Sequence, residues 1–146
     1  MRIYLAARYS RREELCGYKR ELEAMGHEVT ARWLFGDHQV SDADLNAGLP
    51  DVRIRFAQED WADLMGAGCC ISFTETPRSS NSRGGRHVEF GAALAMGKQC
   101  IVVGPRENVF HCLPEVIHFE TWLDAVVWIG QMRLAALRKG WEVARG

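Results

Sequence analysis

Three consecutive runs decide the fold: Cys69-Cys70-Ile71-Ser72-Phe73, then Gly85-Arg86-His87-Val88-Glu89-Phe90-Gly91-Ala92-Ala93-Leu94-Ala95-Met96 closed by Gly97, then Cys100-Ile101-Val102-Val103. The first is a short apolar run preceded by glycines, the pattern of a strand buried on both faces. The second is alanine-rich and compact, which reads as a helix stopped by Gly97. The third reads as the next strand. Strand, helix and strand in this order form a crossover unit, and its two strands run parallel.

The same alternation extends in both directions. Residues 3–6 give a first strand. Residues 11–25 show helical spacing at Leu15, Tyr18, Leu22 and Met25, with Gly26 as the stop. Residues 27–30 give a second, more exposed strand. Residues 31–49 are irregular and hold Trp33, Gly36, Asp37, His38 and Asp42. Pro50-Asp51 opens a helix whose stripe is Val52, Phe56, Ala57, Trp61, Leu64 and Met65, ended by Gly66 and Gly68. His118-Phe119 is a last short strand. Residues 121–137 form the final helix, with Thr121 and Asp124 spaced as a capping box. The expectation is one α/β domain over residues 1–146, a parallel sheet with helices on both faces. No repeat or linker interrupts it.

Composition narrows the function classes. Of 146 residues, 47% are apolar and 25% charged, ordinary values for a globular domain, and the formal net charge is -1. That balance gives no pull towards nucleic acid, and no nucleic-acid motif is present. No apolar run is long enough to span a bilayer, and Met1 leads straight into a strand, so a cytoplasmic protein is expected. The five cysteines lack any C-x-x-C pair, and Cys69, Cys70 and Cys100 lie in apolar runs. They read as reduced, buried thiols rather than metal ligands or a disulfide frame. No metal or cofactor is expected.

In open parallel sheets, ligands bind beyond the carboxyl ends of the strands. Three polar, arginine-bearing segments leave those ends, at residues 7–12, 74–86 and 104–111. The second is the richest in serine and glycine, and it runs directly into the helix that carries Glu89. Glycines allow close backbone approach, and helix N-terminal amides hold anions. Glu89 sits about one turn inside that helix, where the dipole favours its charged form. An ionised, apolar-flanked carboxylate suits a nucleophile, although a plain helix-capping glutamate fits the pattern equally well. Asp60, in Gln58-Glu59-Asp60-Trp61, is its candidate partner, although on spacing alone a solvated helix residue is the expected reading. Two carboxylates in one pocket can divide labour. His87, two residues from Glu89, points to another helix face and reads as a supporting or surface group. Trp33, Phe35 and Trp61 could stack on a base, but packing in the core is the expected role for each.

Three segments together resemble the nucleoside 2-deoxyribosyltransferase-like family, which includes deoxynucleoside 5′-monophosphate N-glycosidases and phage relatives. They are Ile3-Tyr4-Leu5-Ala6-Ala7, Asp60-Trp61-Ala62-Asp63-Leu64, and Gly85 to Lys98 around Val88-Glu89-Phe90-Gly91. The resemblance covers roughly residues 1–103. It implies a flavodoxin-like (Rossmann-like) three-layer sandwich on five parallel strands, and a homodimer or larger homo-oligomer. It implies cleavage of an N-glycosidic bond through a covalent glycosyl-Glu89 intermediate, with Asp60 contacting the sugar or aiding proton transfer and Tyr4 orienting Glu89. The implied substrate contacts are Ala6, Ala7, Arg8, Tyr9, Ser10 and Arg11 after the first strand, and Ser80, Ser82, Gly84, Gly85 and Arg86 before the nucleophile. Transferases of the family often carry an extra acidic residue in the loop before the nucleophile. Here no carboxylate follows Glu75 there, which leans towards hydrolysis. The arginines after the first strand suit a 5′-phosphate, so a nucleoside monophosphate is the preferred substrate on this reading. A non-catalytic nucleotide-sensing domain using the same pocket is the alternative.

Overall fold

The computed structural model describes residues 1–36, 38, 50–76 and 84–145. Its five parallel strands are β1 (Arg2–Ala6), β2 (Glu28–Val29), β3 (Cys69–Phe73), β4 (Gln99–Val103) and β5 (Val116–Phe119), in the order β2-β1-β3-β4-β5. The helices are α1 (Arg12–Ala24), α2 (Pro50–Gly66), α3 (Gly85–Ala95) and α4 (Trp122–Arg145). None of them is long and apolar enough to cross a membrane, among the described residues.

Side-chain alternation along the strands assigns the two faces. Tyr4 pairs in register with Cys70, and Cys70 with Cys100, so the three share one face. Tyr4 reaches Glu89 on α3, so α2 and α3 cover that face. Phe73 is three residues beyond Cys70 and points the other way. It packs against Tyr18 of α1 and Trp122 of α4, with ring centroids 5.4 and 5.7 Å away. The result is the expected three-layer α/β sandwich, with Ile3, Leu5, Ile71 and Ile101 fully buried between sheet and helices.

The elements fall where the sequence places them, with some differences of extent. β5 begins at Val116, because its ladder with β4 runs from the Cys100–Val116 pair to Val103–Phe119. Thr121 caps α4 as expected: its hydroxyl accepts from the Asp124 amide (3.2 Å) and donates to the Asp124 carboxylate (2.6 Å). That helix runs on to Arg145, past the expected end at residue 137. The stripe expected on α2 is wrong in part. Phe56 and Leu64 are buried, but Val52, Ala57, Trp61 and Met65 are exposed, Trp61 by 51%. The inward face of α2 is instead Phe56, Asp60, Asp63 and Leu64, which brings two carboxylates against the sheet. Phe35 likewise stands 73% exposed rather than in the core. Only Trp33 packs inside, with its indole N–H on the Leu5 carbonyl (2.9 Å).

Candidate active site

The strand order reverses direction between β1 and β3, the place where open α/β sheets hold ligands. Three side chains converge on the α2–α3 face beside that crevice. The Tyr4 hydroxyl donates to Glu89 Oε1 at 2.8 Å. Asp60, on α2, lies close enough to both for its charge to disfavour ionisation of each. The order and separation that brought Tyr4, Asp60 and Glu89 together in the sequence thus correspond to one cluster in space.

Burial dominates the electrostatics here. It pushes the Glu89 carboxyl up to about 7; the Asp60 charge adds to the rise and the Tyr4 hydrogen bond opposes it. The sequence suggested that the helix dipole would hold Glu89 ionised. Burial among Tyr4, Asp60 and the sheet acts in the opposite sense. Burial also raises Asp60, to about 6, partly offset by His38. The Tyr4 phenol is raised well above its ordinary value, chiefly by burial and then by Glu89, so it remains a proton donor at all ordinary pH.

Several neighbours of this cluster carried no readable sequence signal. His38 Nε2 lies 2.9 Å from Glu59 Oε2 and 3.9 Å from Asp60 Oδ1, and its ring stacks on Phe56. Asp63 accepts from both the backbone N–H and Nε of Arg32, at 2.7 and 2.8 Å, and clamps that turn onto α2. Ser72 is fully buried in the row Ala6–Ser72–Val102, on the Tyr4 side of the sheet, and its hydroxyl has no hydrogen-bond partner.

The expected substrate contacts divide. Ala6 and Ala7 end β1 at the crevice, Ala6 buried and Ala7 half-buried, and Ser10 is exposed. Tyr9 donates to the Gly36 carbonyl (2.7 Å), tying the β1 loop to the turn at Arg32–Phe35. Gly84 takes φ 82° and starts α3 without a side-chain cap, and Gly85 is open. Arg86 differs most from expectation. It is buried, and its guanidinium forks onto Glu107 at 2.6 and 3.3 Å, beside His111. His87 Nε2 lies 3.8 Å from the same carboxylate. Arg11 is heavily engaged as well, by Glu14, the Thr74 carbonyl and Glu75. Ser80 and Ser82 lie outside the described residues.

The fold has solved counterparts. A 2-deoxyribosyltransferase from Bacillus psychrosaccharolyticus matches with a TM-score of 0.65 and 19% identity, over 86% of this chain and 90% of that one. A CMP N-glycosidase from Clostridium botulinum matches with a TM-score of 0.53 and 22% identity, over 82% of this chain and 87% of that one. At these identities the likeness establishes the fold. No family model matches the chain, and no curated protein matches it in sequence.

Proposed function

We propose that this protein is an enzyme that cleaves the N-glycosidic bond of nucleosides or nucleoside 5′-monophosphates, with Glu89 as nucleophile. The observation that carries the reading is the Tyr4–Glu89 hydrogen bond inside a buried two-carboxylate cluster beside the β1–β3 crevice. The two structural counterparts, one transferring deoxyribosyl groups and one cleaving CMP, support it.

Tyr4 fixes Oε1, and Oε2 is the oxygen we assign to attack. It bonds to the anomeric carbon as the bond to the base breaks; the base leaves with the electron pair and takes a proton from solvent. Water then attacks the same carbon and gives up a proton to solvent, the glycosyl ester breaks, and the Glu89 carboxylate is regenerated. The carboxylate faces positive charge developing on the sugar ring, where a fixed negative group counts most. Burial raises both carboxyls, Asp60 to about 6 and Glu89 to about 7, and we assign Asp60 to contacting the sugar or aiding proton transfer beside the nucleophile. Hydrolysis rather than base transfer is the favoured outcome, because Glu75 is the last carboxylate before Glu89 in the chain. We also place the protein, with its unpaired thiols, in the reducing cytoplasm, acting as a homodimer or larger homo-oligomer.

The test is incubation with a mixed pool of nucleosides and their 5′-monophosphates, with and without an acceptor base, read by chromatography. Free base is expected from wild type and is expected to fall by at least about a thousandfold in Glu89→Ala. Ligand-induced thermal stabilisation without base release would show a binding domain instead.

A further inference from the structure

We propose that the buried Arg86–Glu107 pair positions the nucleophile: it fixes the first turn of α3 so that Glu89 stays against the Tyr4 hydroxyl. Arg86 then holds the helix and takes no part in binding substrate. The proposal rests on the glycosidic-cleavage reading for the role of Glu89.

The start of α3 has little local support. Gly84 stands at its N-cap with φ 82° and no side-chain cap, and the first turn carries no acidic residue. Gly85 has nothing within 4 Å of where a Cβ would lie. A helix end without a capping side chain lacks one of its usual restraints. Glu89 follows Gly85 by only four residues, so any play at this end reaches its carboxylate.

Tertiary contacts hold the end instead. Arg86 is buried; its Nη2 donates to Glu107 Oε1 at 2.6 Å and its Nε to Oε2 at 3.3 Å. Phe90, one turn on from Arg86 and on the same side of the helix, meets the His111 ring edge-on at 4.9 Å. Both partners belong to the loop after β4. That loop is itself tied down. The Gly104 N–H donates to the Phe119 carbonyl at 2.9 Å, and the Gly104 carbonyl lies 2.7 Å from His118 Nε2. Within the loop, the Glu107 N–H donates to His111 Nδ1 at 3.2 Å. The β4–β5 side of the sheet thus holds the helix on either side of Glu89, while Tyr4 of β1 holds its carboxylate.

A buried ion pair is a poor source of net stability, since desolvation offsets most of its attraction. A forked guanidinium–carboxylate pair supplies direction, because two bonds fix an angle as well as a distance. Direction is what a nucleophile needs: a misplacement of about 1 Å costs on the order of a hundredfold in rate. The same fork turns Arg86 inward onto Glu107 and away from the role of substrate contact that the sequence suggested.

Arg86→Met combined with Glu107→Leu removes the pair without leaving a buried charge, so the fold is expected to survive. In a crystal structure of that variant, the Tyr4–Glu89 hydrogen bond of 2.8 Å is expected to open beyond about 3.5 Å. On the nucleoside and nucleotide pool, kcat is expected to fall about a hundredfold with KM held within about twofold. Arg86→Lys keeps a cation for Glu107 without the fork, and is expected to recover part of that loss, to about tenfold below wild type. Should the double variant fail to fold by circular dichroism, Arg86→Lys decides alone, with the same opened hydrogen bond and the same split between kcat and KM. An unchanged Tyr4–Glu89 bond, an unchanged kcat, or a KM that rises while kcat holds overturns the proposal. The last result would return Arg86 to the substrate. Absence of base release by wild type would instead overturn the cleavage reading, and the crystal structures would still decide whether the pair holds Glu89.

Discussion

Glu89 is the residue on which sequence and structure disagree most usefully. Its place one turn into a helix suggested a stabilised charge, whereas its burial lifts the carboxyl to about 7. The consequence for stability has a definite sign. The unfolded chain ionises this group near its ordinary value of 4.5, while the folded protein holds the proton until about 7. Between those values the folded state binds more protons, so stability falls as pH rises through that window and is level outside it. Glu89→Gln keeps an acceptor for Tyr4 and removes the ionisation. It is expected to match wild type near pH 4 and to exceed it near pH 8 by on the order of 3 kcal/mol, measured by denaturant unfolding at both values. Equal stability at pH 8 would remove the case for a buried, strained carboxylate. Asp60, raised to about 6, is expected to leave a smaller slope of the same sign in the variant. Glu89 and Asp60 were legible in the sequence as candidates beside plainer readings, and the role of Tyr4 came from the family resemblance alone. His38, Glu75 and Glu107 were not, because their partners come from other parts of the chain.

At the scale of elements, the joints around the crevice are the sensitive points. Gly104 follows β4, takes φ 108°, and donates its N–H to the Phe119 carbonyl at 2.9 Å. A Cβ there would lie 2.7 Å from Thr74 Oγ1 and 3.2 Å from the Thr74 carbonyl oxygen. Gly104→Ala combines left-handed strain with that clash, and it pushes on the residue beside Glu75. A loss of about 1–3 kcal/mol is expected from the denaturant midpoint. Gly91, inside α3 with open space around its Cα, is the contrast. Gly91→Ala is expected to stabilise by roughly 1 kcal/mol, the helix-propensity difference. A tolerated Gly104→Ala would mean that the β4 loop yields more easily than its contacts suggest. The elements themselves were readable from periodicity and stops. The inward face of α2 was not, since Asp60 and Asp63 occupy positions that an apolar stripe would assign to Trp61 and Met65.

Across the whole molecule, α4 has two apolar sides. Ala125 and Ile129 face the sheet, while Leu123, Val127, Leu134 and Leu137 are exposed. Those four follow the spacing of a helix-pairing seam, which supports a self-association surface. Light scattering is expected to show a dimer or larger species, and Leu134→Glu with Leu123→Glu is expected to lower the mass while leaving circular dichroism unchanged. A monomeric wild type would overturn that part of the reading.

The sequence by itself determined the layered α/β architecture and the parallel strands, because hydrophobic period and glycine stops are local signals, and it offered Glu89 and Asp60 as candidates. Only the tertiary structure decided how those groups ionise and which partners hold Arg11 and Arg86. Both depend on burial and on segments from different parts of the chain meeting at one sheet edge, as Arg11 meets Thr74 across 63 positions, and neither leaves a trace in any local stretch of the chain.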